Sequence, residues 1–161
     1  MYKIKPPLTF IRYKYDNVQI IFIAHSAEAK EVSEDEFFHK GESGGTLIST
    51  GYAKALEVIE QRYNPAVWNI YVFHSSDGDN WLEDNEQSIK LAEELCRTVN
   101  LFGYGEITPN HIEAETTISR EYKEHLKADN FVMVNITKKE DVWPAFKKLL
   151  DKEGGLGEAQ P

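Results

Sequence analysis

Asn69-Ile70-Tyr71-Val72-Phe73-His74-Ser75-Ser76-Asp77-Gly78-Asp79-Asn80-Trp81 is the stretch whose reading decides the fold. Its apolar run, Ile70 to Phe73, is rich in β-branched and aromatic residues and reads as a buried strand. A polar cluster follows at the strand's C-terminal end, which is where ligands bind in open α/β sheets. Asp77 and Asp79 are hard oxygen donors separated by Gly78, which lets the backbone turn tightly. They suit Mg²⁺ or Ca²⁺, and equally a turn whose Asp and Asn cap the next helix.

Working outward, Val18–His25 reads as a strand with a nearly continuous apolar run, covered on both faces as in a parallel sheet. Ala27–Val32 is a shorter, more polar strand, suited to an edge. Ser33 and Glu36 form a capping box. Leu47–Tyr63 and Asp84–Asn100 have helical stripes. Leu101–Ile107 is a strand interrupted by glycine, which weakens it and marks close approach of another backbone or a ligand. Glu113–Lys127 is a more polar helix, Phe131–Ile136 a strand, and Lys139–Leu150 a helix that Pro144 kinks unless it starts near Val142. Leu8–Tyr15 fits the last turns of a helix. Residues 153–161 are Gly-rich and read as a disordered tail. Strands alternating with helices predict one doubly wound, mostly parallel α/β domain over residues 1–152, with helices on both faces and an antiparallel edge near Ala29–Val32.

Composition sets outer limits. Hydrophobic residues make up 41% of the chain and charged residues 28%, as in a globular protein. With 27 acidic against 18 basic residues, the net charge of −9 argues against nucleic acid or an anionic membrane as partner. One cysteine, Cys96, rules out an internal disulfide and a cysteine metal cluster. No run reaches membrane-spanning length and no signal-peptide core precedes the domain, so a cytoplasmic location is expected.

Candidate site residues gather at the predicted strand ends: His25 and Ser26; then His74, Ser76, Asp77 and Asp79; then Glu106. Thr46, on a loop with Gly44 and Gly45, precedes a helix, so its hydroxyl either caps that helix or ligates a metal. His25 and His74 read either as strand-end histidines bonded to neighbouring loops or as functional groups. Gly44-Gly45 lacks the lysine of a phosphate-binding P-loop, and no nucleophile elbow is present.

The Gly-Gly-Thr loop, the strand ending in Ser-Asp-Gly and the strand carrying Gly-Tyr-Gly together resemble a von Willebrand factor A domain. Closer still, FIAHSAEAKEVSEDEFFHKGESGGT, NIYVFHSSDGDN and NLFGYGE resemble the bacterial YhbH/YeaH family of sporulation- and stress-associated proteins. That resemblance runs from about Leu8 to Leu150. It implies that Thr46 and Asp77 are ligands of a metal-ion-dependent adhesion site, with His25, Ser26, Gly45, His74, Ser76, Asp79 and Glu106 as its rim. It implies a non-enzymatic domain, an open Mg²⁺ position for a partner's carboxylate, and a protein partner such as a serine protein kinase of the same stress pathway. The family's Asp-x-Ser-x-Ser motif has no counterpart in this chain. The chain is thus expected to match the C-terminal part of a longer protein, to hold Mg²⁺ weakly, and to lack the leading strand between Val18–His25 and Ile70–Ser75. Tyr2–Lys5, a second copy, or direct pairing of the two strands would fill that place; otherwise an exposed edge favours self-association. The alternatives are a metal-dependent phosphoryl-transfer hydrolase using Asp77 or Asp79, and a fragment that keeps only the fold.

Overall fold

A computed structural model describes residues 11–13, 15–39, 46–108 and 116–151. The elements are β1 (Phe22–His25), β2 (Ala29–Val32), α1 (Glu34–His39), α2 (Ile48–Arg62), β3 (Tyr71–Ser76), α3 (Asn85–Thr98), β4 (Leu101–Ile107), α4 (Thr117–His125), β5 (Phe131–Ile136) and α5 (Val142–Asp151). Short 3-10 turns, Leu82–Asp84 and Lys139–Asp141, lead into α3 and α5.

The α/β class holds. β3, β4 and β5 form a parallel sheet with β4 in the middle. Helices cover both its faces. On one, Ile48, Tyr52, Ala55 and Ile59 of α2, Ala92 and Leu95 of α3, and Ile118 and Tyr122 of α4 pack with Phe102 and Tyr104 of β4. On the other, Ala145 and Leu149 of α5 pack on Leu101, Val132, Val134 and Ile136. Alternation along each strand feeds the two clusters in turn. Gly103 faces α5: a Cβ there would stand 2.9 Å from both Leu149 and Phe73, so what crowds this glycine is two side chains and not the backbone or ligand expected there.

The expected single sheet is corrected. Among the described residues β1 pairs only with β2, antiparallel, as a separate two-stranded sheet. The strand expected over Val18–His25 is also shorter, since residues 18–21 lie outside it. Its partner sets the limit: Phe22 pairs with Val32, the last residue of β2, so nothing continues the ladder. Antiparallel pairing at Ala29–Val32 is as expected.

Several local expectations hold. Ser33 Oγ accepts from Glu36 N–H (3.2 Å) while Glu36 Oε2 accepts from Ser33 N–H (3.1 Å), a complete capping box at α1. α5 starts at Val142, so Pro144 falls in the first turn, where a missing N–H costs no helical bond. Cys96 is a buried core residue whose thiol burial pushes up to about 11. Residues 11–13 are helical, and Tyr15 N–H donates to Ile11 O (3.1 Å). Residues 1–10, with Tyr2–Lys5, the loop glycines Gly44 and Gly45, and the tail lie outside the described residues. No helix among the described residues is long and apolar enough to cross a membrane.

Candidate functional site

A helix start leaves its first N–H groups without intrahelical partners. In α2 these are served from another part of the chain. Asn80 Oδ1 accepts from Ile48 N–H (3.0 Å), and Asp84 Oδ2 accepts from Ser49 N–H (3.0 Å). Asp84 also takes the hydroxyls of Ser49 and Ser88 (the latter at 2.7 Å) and is itself buried. Thr46 is therefore not the cap. The N-cap position is Leu47, with no side-chain capping bond. Nor do Asp77 and Asp79 cap the helical elements that follow. Asp77 Oδ1 accepts from Asp79 N–H (3.1 Å), an Asx turn closed within the loop.

Backbone bonds lace the strand-end loops together. Leu47 N–H donates to Ser26 O (2.9 Å), just past β1, and Trp81 N–H donates to Thr46 O (3.3 Å). The segment holding Thr46 thus lies between the loop after β1 and the loop carrying Asp77, all at the C-terminal edge of the strands. Gly78, at φ +81°, turns the latter loop, and a Cβ there would collide with Thr116. Asp77 and Asp79 are exposed.

Thr116, the neighbour of Gly78, leads to Glu106, which is 5% exposed. Its Oε2 accepts from Ser119 Oγ (2.6 Å), Thr116 Oγ1 (2.7 Å) and Tyr104 Oη (3.2 Å). Thr116 also caps α4 by accepting from Ser119 N–H (3.2 Å). Three hydroxyl donors, with no ion pair to Glu106 among the described residues, make this carboxyl a structural hub below the rim assigned to it.

His25 and His74 meet directly. Their Nε2 atoms are 3.0 Å apart, joining the end of β1 to β3. His74 Nδ1 contacts Tyr52 Oη at 2.8 Å, and Tyr52 Oη contacts Tyr122 Oη at 2.5 Å. Burial, aided by His25, pushes His74 down to about 3, so it is neutral at ordinary pH. Burial also lowers His25, against the pull of Asp84. The three tyrosines Tyr52, Tyr104 and Tyr122 are held protonated, chiefly by burial. Buried His25 Nδ1 has no hydrogen-bond partner among the described residues.

No group of three or more His, Cys, Asp or Glu side chains among the described residues comes together in a way that could hold a metal ion. Thr46 and Asp77 alone fall short of the six oxygens that Mg²⁺ takes. Asn80, expected to cap the next helix, serves the start of α2 instead, and sequence reasoning missed Asp84, Tyr52, Tyr122, Thr116 and Ser119. Asp84 carried a signal, an acid placed at the start of a helix whose partner is a second helix start.

A family model described as "Protein of unknown function (DUF444)" matches residues 7–153. The chain is 59% identical to a UPF0229 protein of Ruminiclostridium cellulolyticum over 143 residues, covering 89% of this chain and 36% of that protein. It is 49% identical to a UPF0229 protein of Clostridium perfringens over 144 residues (89% and 36%). Against one of Bacillus cereus it is 49% identical over 146 residues (91% and 37%). It thus spans little more than a third of the length of these curated relatives. No solved structure matches it.

Proposed function

The chain belongs to the DUF444 family of proteins of unknown function, and from that premise we propose that it forms a non-enzymatic, von Willebrand A-like interaction domain whose strand-end face binds a protein partner. The observation that carries this reading is the lacing of Ser26 to Leu47 and of Thr46 to Trp81. It draws the loops after β1, before α2 and after β3 into one edge, the place where such a domain recognises its partner. The separation of β1 from the β3-β4-β5 sheet among the described residues supports the fold assignment, because the leading strand of an A domain lies between those two. The domain's partner is a protein, with the serine protein kinase implied by the resemblance as the specific proposal. Thr46 and Asp77 are its partial metal site.

With two oxygen donors, Mg²⁺ affinity is no tighter than about millimolar, and a sheet edge that no described strand covers favours self-association. Light scattering together with calorimetric Mg²⁺ titration tests both. Association with weak or no Mg²⁺ binding is expected, and a stable monomer with micromolar Mg²⁺ affinity would overturn the partial site. The hydrolase reading is tested by release of phosphate from p-nitrophenyl phosphate with Mg²⁺. Turnover abolished by Asp77→Asn would replace the interaction reading with an enzymatic one.

A further inference from the structure

Trp81 and Leu82 stand out on the laced edge. The two residues are 55% and 69% exposed, yet their backbone is held on both sides. Trp81 N–H donates to Thr46 O, and Trp81 O accepts from Asp84 N–H at 2.9 Å. The residues that bracket the pair, Asn80 and Asp84, are fixed to the start of α2, and Asn80 Nδ2 also donates to Asn85 Oδ1 at 2.8 Å. Folding therefore spends several buried and half-buried hydrogen bonds on a turn that presents a tryptophan and a leucine to water. A preorganised aromatic anchor loses little freedom on binding, and tryptophan is the side chain most enriched among residues that dominate interface energy.

The surroundings define the occupant. Between Arg62 and Lys90 the sequence holds no lysine or arginine, but it holds Asp77, Asp79, Glu83, Asp84 and Glu86. Asp84 is consumed in capping α2, and Glu86 pairs with Lys90 at 2.7 Å. Asp77, Asp79 and Glu83 are exposed and make no ion pair among the described residues. An apolar pair framed by unneutralised carboxylates complements a cationic segment and repels an anionic one. We propose that Trp81 and Leu82 anchor a cationic peptide segment of a partner protein, one in which lysines or arginines flank an aromatic or leucine side chain. This rests on the interaction reading above and names the partner's chemistry for that same edge. It does not pass through the metal site.

The probe is a random twelve-residue peptide library displayed on phage, panned on the whole chain in EDTA and again in Mg²⁺, with enriched peptides measured by fluorescence anisotropy. Enrichment in EDTA of peptides carrying at least two basic residues beside an aromatic or leucine is expected. Trp81→Ser with Leu82→Ser should weaken them about tenfold or more, and Asp79→Asn with Glu83→Gln about two- to fivefold with a shallower salt dependence. Glu60→Gln, exposed near the far end of α2, should leave them unchanged. All substituted side chains are exposed or half-buried, and circular dichroism checks that each variant folds. Neutral or acidic enriched peptides, binding unchanged in the Trp81/Leu82 variant, or no enrichment over that variant each overturn the proposal. Acidic peptides retained only in Mg²⁺ and lost in Thr46→Ala would overturn it while upholding the metal-site reading. Preferential binding to phosphatidylcholine vesicles, lost in the Trp81/Leu82 variant, would reassign the anchors to a membrane surface.

Discussion

β1 and β4 are both apolar strands, and they end up in different physical states. β4 has a partner along each edge and a helical layer over each face, so Leu101–Glu106 are all buried. β1 has one described partner, the charged four-residue β2, and all four of its residues are half-buried. The lesson is that an apolar run becomes a strand only as far as a partner extends. Val18–Ile21 is as apolar as much of β4, yet lies outside the ladder.

The comparison yields graded tests. The largest effect is expected in the centre of the parallel sheet. Phe102 is fully buried against Tyr52 and Phe131, so Phe102→Ala should cost about 3–5 kcal/mol. Phe22 of β1, half-buried beside Phe37 and Phe38, should cost distinctly less on the same truncation. Urea unfolding of both variants checks this, and equal losses would break the contrast. Next comes Gly103→Ala. The added methyl must displace Leu149 or Phe73 and should cost about 1–3 kcal/mol as overpacking; a neutral result in thermal melts would mean α5 sits loosely on the sheet.

The third test acts on the seam between the two sheets. His74 titrates near 3 in the folded chain and near 6.5 unfolded. Below that upper value the unfolded chain takes up a proton that folded His74 refuses, so stability is complete above pH ~6.5 and falls as pH drops toward 3. Between pH 6.5 and 5 the loss is on the order of 1–2 kcal/mol, with His25 acting in the same direction. Denaturant titrations at several pH values should show this slope, and His74→Gln should flatten it. An unchanged slope in that variant would place the acid sensitivity elsewhere.

What could be read in the chain followed from local rules. Ile48, Tyr52, Leu56, Ile59 and Tyr63 fall on one helical stripe, and Phe131–Ile136 is a short β-rich run; both became the elements expected, with Ala55 rather than Leu56 in the buried core. The capping box at Ser33 was legible because all its atoms lie within one turn. The trans-capping of α2 was not, because Asn80 and Asp84 lie 32 and 35 residues from the N–H groups they serve. Tyr52 and Tyr122, 70 residues apart, each looked like an ordinary core aromatic. The candidate site was legible as a place, the C-terminal edge, while the roles within it rest on tertiary hydrogen bonds that no local pattern encodes.

The row His25–His74–Tyr52–Tyr122 has a further consequence. A neutral imidazole gives one hydrogen bond and takes one, and a phenol has one O–H to give, so with the Tyr52 O–H kept within the row the direction of any one link fixes the others. If Tyr122 donates toward Tyr52, His74 receives at Nδ1 and gives from Nε2, and His25 must carry its proton on Nδ1. If the sense is reversed, His25 gives from Nε2 and its Nδ1 is a bare lone pair. Since that atom has no described partner, neither sense is anchored there. The same heavy atoms thus admit two proton arrangements of opposite polarity, and the tautomer of His25 tells them apart.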